Sequence, residues 1–398
     1  MDRVILHSDC NNFYASVECM LDSSLRGKCV AVGGSEEARH GIILAKNELA
    51  KRCGVQTGDT LWQARLKCPD IVIVPPHFDE YIAVSRAARE IYHDNTNQVE
   101  PFGLDEAWLD VTGEDGFSAA SRISDRIKRE LGITVSIGVS FNKVFAKLGS
   151  DYKKPDAITV INRENFKDIV WKLPVSDLLF VGRATTEKLT KMGVMTIGEL
   201  AKTPEFILKN HFGKNGTMLR NFANGEEHSR VAEYGSVPPM KSMSNSITTP
   251  RDMTCREDIL RVMTALCDGI GRRLRAEGMV GRRVSVYMRT NGLDSSSRQS
   301  MLFEYTDRTD EILREAMMLV DANYDGITRL RSIGVGIGML ATASGVSSQM
   351  SLFCPSERRE CKDRLTSEID RLRDKYGSGI IVPATVLADP EMTSFEYK

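Results

Sequence analysis

The segment PFGLDEAWLD (residues 101–110) sets two carboxylates, Asp105 and Glu106, inside an otherwise apolar, strand-like run. Successive strand residues point to opposite faces, and a buried carboxylate without a partner is costly enough that it pairs, takes up a proton or binds a metal. The pair therefore calls for a cation. Asp9, in SDCNNFYASVE, stands at the end of the first strand, where capping the following helix is an aspartate's ordinary role. If its strand neighbours that of Asp105 and Glu106, three carboxylates meet at one sheet edge. Hard oxygen ligands of this kind suit Mg²⁺, and two Mg²⁺ ions about 4 Å apart suit in-line phosphoryl transfer.

The elements that must position these residues read as α with β. A strand over Arg3–Leu6 turns through residues 8–12 into the helical FYASVECML, followed by an extended CVAVGG and helices around LAKNELAKRC and LWQARLKC. IVIVP is a buried strand, and a long helix runs from Asp79 to about Tyr92. After the strand of Asp105 come a helix near Ala119–Leu131, the β-rich ITVSIGVS and the helix FNKVFAKLGSDY. This alternation fits helices packed on a sheet. Beyond Leu173 the chain turns to short helices. VGRATTEKLTKMGVMTIGELAK resembles a helix-hairpin-helix, whose backbone N–H groups hold DNA phosphates without reading sequence, which marks Gly182 and Arg183 as DNA-binding candidates.

Pro238 and Pro239 mark a linker. Past it the order is strand, helix, strand, strand, helix, strand, a self-contained β-α-β-β-α-β domain. Between Arg261 and Arg298 eight arginines face three acidic residues, so this segment, with Arg282 and Arg283, is a candidate basic face for DNA; a solvated surface is the plainer reading.

The 398 residues allow two to four domains with substantial cores, and 41% hydrophobic, 27% charged residues with a mean hydropathy of -0.25 describe an ordinary folded chain. A net charge of -1 excludes a uniformly basic nucleic-acid binder. No apolar run approaches the roughly 18 residues of a membrane span, so no membrane partner and a cytoplasmic location are expected. Nine scattered cysteines, none in a Cys-x-x-Cys pair, suit neither a disulfide framework nor a zinc site.

SDCNNFYASVE, LDEAWLD and GVSFNKVFAKLGSDYKKP, in this order with these domains, resemble the Y-family translesion DNA polymerases of the DinB/UmuC group, over about Val4 to Phe353. Asn11 and the AKNELAKRCGV stretch lean towards the polymerase V catalytic subunit; the subfamily stays open. The resemblance implies an α/β multidomain (α+β) right-hand polymerase: palm at 1–10 and 77–165, fingers at 11–76, helical thumb at 166–237, little finger at 240–342 and a tail at 343–398. It implies primer-template DNA and dNTP as partners and two Mg²⁺ ions, with Mn²⁺ as a substitute. Asp9 and Asp105 would bridge the ions, Cys10 would offer its backbone carbonyl, and Glu106 would hold the ion that activates the primer 3'-hydroxyl. Gly103 relaxes the strand so that both neighbours reach them.

Backbone N–H groups of Asn12, Phe13 and Tyr14 would hold the triphosphate. Tyr14 would be the steric gate against ribonucleotides, and Lys154 would meet the phosphates. In relatives named polymerase IV a Thr, a Tyr and an Arg of the fingers touch the phosphates; here those places hold Ala45, Glu48 and Lys51. Lys51 supplies a point charge without the guanidinium fork. Glu48 would repel a triphosphate, so either Lys46 or Asn47 serves instead or nucleotide affinity is low. SSQMSLF matches the peptide by which such polymerases bind the sliding clamp (beta subunit), with Gln349, Leu352 and Phe353 as its contacts. The segment after it folds back or joins a partner. Two rival readings are a catalytically weak scaffold bound to DNA and clamp, and a nucleotide cyclase sharing a palm-like sheet.

Overall fold

The computed structural model describes residues 2–35, 39, 41–346 and 356–393, without the side chains of 356–360. They divide into two compact units, one reaching from the N-terminus to Val237 apart from a short excursion after Gly34, the other holding that excursion and everything from Pro238 on.

The first unit opens with strand β1 (Ile5–Cys10), buried along its whole length. It runs four residues beyond the predicted Leu6, because His7, Ser8 and Asp9 find ladder partners on both sides. Asn12 then takes a left-handed conformation (φ 50°) and turns the chain into α1 (Phe13–Leu21). There follow β2 (Val30–Gly33), β3 (Ile43–Lys46), α2 (Glu48–Arg52), α3 (Leu61–Lys67), β4 (Val72–Val74), α4 (Phe78–His93), β5 (Val99–Pro101), β6 (Glu106–Asp110), α5 (Gly116–Leu131), β7 (Val135–Ser140), α6 (Lys143–Tyr152) and β8 (Ile158–Ile161).

The large sheet has the order β5-β6-β1-β7-β8, with β1 antiparallel to β6 and β7. One face packs with α1, α4 and α5 through Leu6, Tyr81, Ile91, Leu109, Ile123 and Ile137. α6 lies against the other, so closely that a methyl group on Gly138 would stand 1.8 Å from the carbonyl oxygen of Ala146. The small sheet β3-β2-β4 corrects the helix predicted over LAKNELAKRC: Ala45 and Lys46 pair with Val32 and Ala31, and only residues after Asn47 are helical. Asn47 is the reason, since its side chain accepts the Ala50 N–H at 3.0 Å and caps α2. Helices α7 (Phe166–Ile169), α8 (Arg183–Lys191), α9 (Ile197–Lys202), α10 (Glu205–Phe212) and α11 (Lys214–Ala223) close the unit around Leu189, Leu200, Leu208 and Leu219. Gly193 (φ 79°) provides the turn between α8 and α9.

The second unit holds β9 (Ser242–Met253), α12 (Arg256–Ala276), β10 (Met279–Thr290), β11 (Ser295–Thr306), α13 (Thr309–Asn323) and β12 (Leu330–Gly338), the predicted β-α-β-β-α-β order. Its antiparallel sheet runs β11-β10-β12-β9. Val284, Val286, Ile333 and Val335 pack with both helices. Short side chains line the other face: Ser244, Ser246, Ser285, Ser297, Gly334 and Gly336 form a shallow basin of about 680 Å³. After β13 (Ala341–Thr342), the helices α14 (Ser356–Tyr376), α15 (Ala384–Leu387) and α16 (Pro390–Thr393) fold back on α12. Buried Arg373 meets Asp268 at 2.8 Å, and Arg275 and Arg272 meet Asp370 and Asp374 at 2.6 and 2.7 Å.

Candidate active site

Asp9 and Glu106 are cross-strand partners at the end of the β1–β6 ladder. Asp105 is not in a strand, as the sequence suggested, but in a bend just before β6, and its carbonyl oxygen accepts the Cys10 N–H at 2.9 Å. Gly103, with φ at 99°, makes that bend, and Arg89 fixes it by donating to the Gly103 carbonyl at 2.8 Å. Freed from strand alternation, two sequence neighbours reach one site.

Asp9 and Glu106 already have cations. Lys154 Nζ stands 2.8 Å from Asp9 Oδ2 and 2.8 Å from Asp151 Oδ1, and Lys147 Nζ holds Glu106. His7 Nε2 lies 3.1 Å from Glu106 Oε2 without the alignment of a hydrogen bond, while its Nδ1 meets Ser150 Oγ at 2.8 Å. Burial alone would raise the Glu106 carboxyl, but His7 and Lys147 outweigh it and bring its pKa to about 2. Asp9 is raised by burial despite Lys154, and Asp105 by burial and then by the Asp9 charge. The Cys10 thiol is pushed up to about 12 by burial, so it keeps its proton at neutral pH.

A cleft of about 430 Å³ opens beside these groups, lined by Asp9, Cys10, Asn12, Phe13, Tyr14, Leu44, Ala45, Lys46, Thr57, Asp105 and Lys154. Tyr14 is stacked on Tyr81 with ring centroids 4.3 Å apart, and Phe78 meets it edge-on. Burial, then Asp105, raises its phenol, so the ring stays neutral. The start of α1 faces the cleft, and the first N–H groups of a helix lack intrahelical partners.

The structure thus brings Asp9, Cys10, Asn12, Phe13, Tyr14, Asp105 and Lys154 into one cleft with Glu106 beside it. It does not bring Lys51 there: Lys51 pairs with Glu48 at 3.8 Å, and Lys46, held by Thr57 at 3.1 Å, lines the cleft instead. Glu48 is likewise absent from the lining, and Asn47 is committed to its cap. Gly182 precedes α8, and Arg183 is 93% exposed with Glu187 at 3.0 Å. Arg282 donates to the Leu302 carbonyl and lies over Tyr305, at the point where the β10–β11 register shifts, and Arg283, beyond the shift, alternates with Ser285 and Tyr287 on the open face. Three of the eight arginines counted as a basic face, Arg261, Arg272 and Arg275, are spent on Asp258, Asp374 and Asp370. Gln349, Leu352 and Phe353 lie outside the described residues.

Profiles of the impB/mucB/samB family match residues 8–151, and of its C-terminal domain residues 240–352. A protein named DNA polymerase IV from Acetivibrio thermocellus is 46% identical over 95% of this chain and 96% of its own. The chain belongs to the impB/mucB/samB family. Another family relative, DNA polymerase IV 1 of Bacillus subtilis, is 35% identical over 98% of this chain and 94% of its own. Both carry the polymerase IV name, against the lean towards polymerase V. A solved Y-family DNA polymerase chimera, 22% identical, superposes with a TM-score of 0.75 over 84% of this chain and 98% of its own, so the fold is that of the Y-family right hand. Among the described residues no helix is long and apolar enough to cross a membrane.

Sequence reasoning missed Lys147 and His7 beside Glu106, and Thr57 in the cleft. Lys147, Asp151 and Lys154 recur at i, i+4 and i+7 along FNKVFAKLGSDYKK, the spacing of one helix face. That periodicity was the available signal for Lys147.

Proposed function

We propose that the chain is a template-directed DNA polymerase that performs low-fidelity translesion synthesis, adding nucleotides from dNTP to a primer 3'-hydroxyl. The observation that carries this is the convergence of Asp9, Asp105 and Glu106, from two β-strand ends, on a cleft that also holds the start of α1, Tyr14 and Lys154. The donor set fits divalent ions: its oxygens are hard, and two lysine ammoniums stand on Asp9 and Glu106 where positive charge is needed. Asp9, Asp105, Glu106 and the Cys10 carbonyl would hold two Mg²⁺, with Mn²⁺ as a substitute. Bound there, the ions would neutralise the triphosphate and acidify the primer hydroxyl.

The chain's own groups do the rest. N–H groups of residues 12–14 and the ammonium of Lys154, released from Asp9, orient the phosphates. Lys46 takes the fingers role expected of Lys51, which removes the objection raised by Glu48 and with it the ground for a catalytically weak scaffold. The Tyr14 ring closes the space a 2'-hydroxyl would fill. We assign the palm to 1–10 and 77–165, fingers to 11–76, thumb to 166–237 and little finger to 240–342, with Gly182, Arg183 and Arg283 towards primer-template DNA. Arg282, at the register shift beside Arg283, joins them. Gln349, Leu352 and Phe353 would take the sliding clamp, in the cytoplasm.

Primer extension by the full chain tests the reading. Asp105→Ala and Glu106→Ala should each lower incorporation by about 10³-fold or more; equal incorporation by wild type and both variants would end it.

A further inference from the structure

We infer that Cys29, Cys53 and Cys68 form a thiolate site for zinc, separate from the carboxylate cleft. Their Sγ atoms all lie within 4.8 Å of one another, the only such group of three candidate ligands among the described residues. Cys29 and Cys53 Sγ stand 3.9 Å apart. Thiolates about 2.3 Å from a tetrahedral zinc ion are separated by about 3.8 Å, the edge of that tetrahedron. The pair already has the required spacing.

The backbone presets the three ligands. Cys29 immediately precedes β2, and its carbonyl accepts the Val72 N–H at 2.8 Å. Cys53 caps the C-terminus of α2, and Cys68 that of α3, where its N–H donates to Ala64 at 2.9 Å. Ends of three elements therefore bring one sulfur each. Burial pushes the Cys68 thiol up to about 12, so an incoming ion has to displace its proton. Soft sulfur donors select zinc over Mg²⁺. Cys68 is buried, Cys29 half-buried and Cys53 exposed, so the fourth coordination position opens to solvent. On binding, the thiols release their protons to solvent and the ion ties β2, α2 and α3 together. No Cys-x-x-Cys spacing announces the site: the ligands are 24 and 15 residues apart along the chain, which is why the sequence argued against zinc.

The test uses the full chain, freed of metal and kept reduced, titrated with Co²⁺ and then with Zn²⁺ against a chromophoric chelator. Wild type and Asp105→Ala should each develop a thiolate-to-metal charge-transfer band that saturates at one equivalent of Co²⁺, whatever the carboxylates bind, and that Zn²⁺ abolishes. Cys53→Ser, an exposed change compatible with folding, should lose the band and bind zinc at least about tenfold more weakly, while Cys255→Ser should match wild type. Zinc should raise the Tm of wild type by about 5 °C and leave that of Cys53→Ser unmoved. A wild type without the charge-transfer band, or a Cys53→Ser variant with wild-type zinc affinity, would overturn the assignment.

Discussion

At the residue scale, the two neighbours at the heart of the cleft are predicted to pull stability in opposite directions. Asp105 is raised by burial and by Asp9, so in the folded chain its carboxylate is disfavoured; stability falls as pH rises above 3.8 through its folded value. Glu106 has a folded pKa of about 2 against 4.5, so its contribution is complete above 4.5 and is lost as pH falls towards 2. With divalent ions chelated, Asp105→Asn should therefore stabilise the chain at pH 7. Glu106→Gln should destabilise by about 1 kcal/mol, since it removes the nearer of the two carboxylates facing Lys147 and leaves only Asp151 at 3.8 Å. Thermal melts from pH 7 to pH 3 read both signs. Tyr14→Ala should raise ribonucleotide incorporation at least tenfold relative to deoxyribonucleotide; single-nucleotide insertion kinetics measure the ratio. That Asp9, Asp105 and Tyr14 share one cleft was legible because their types and motifs carry them. Lys147 and His7 were not, because their role depends on α6 and β1 lying side by side.

At the element scale, the contact that holds this arrangement is between β7 and α6. Gly138 lets the helix backbone approach the sheet, and α6 in turn carries Lys147 and delivers Lys154 to the carboxylates. Gly138→Ala should cost about 3 kcal/mol or more, because the intruding methyl meets backbone rather than a yielding side chain. Urea unfolding would read it as a lower midpoint with an unchanged slope. Element type was largely legible from periodicity, and element ends were not. β1 reaches Cys10 because two neighbouring strands extend it, which no local signal reveals. The boundary at Asn47 was visible in principle, since Asn is a strong helix cap, yet AKNELAKR also reads as continuous helix. That single boundary decides whether Lys46 or Lys51 faces the cleft.

At the scale of the whole molecule, the chain order of the second unit was readable before its structure, whereas the fate of its C-terminal segment was not. Arg373 shows what decides it: its guanidinium is buried against Asp268 and also donates to the Ile381 carbonyl at 2.7 Å. Arg373→Leu should cost about 3 kcal/mol, because it removes both the buried ion pair with Asp268 and the donors to the Ile381 carbonyl, seen as a lower Tm. The open sheet face, with its serines and glycines, bears on solution behaviour as well. Hydroxyls and peptide groups displace no condensed counterions, so a duplex resting on them should be held with a shallow dependence on ionic strength. A KCl series of binding isotherms should give a log–log slope well short of the roughly -7 that eight phosphate-paired arginines would produce.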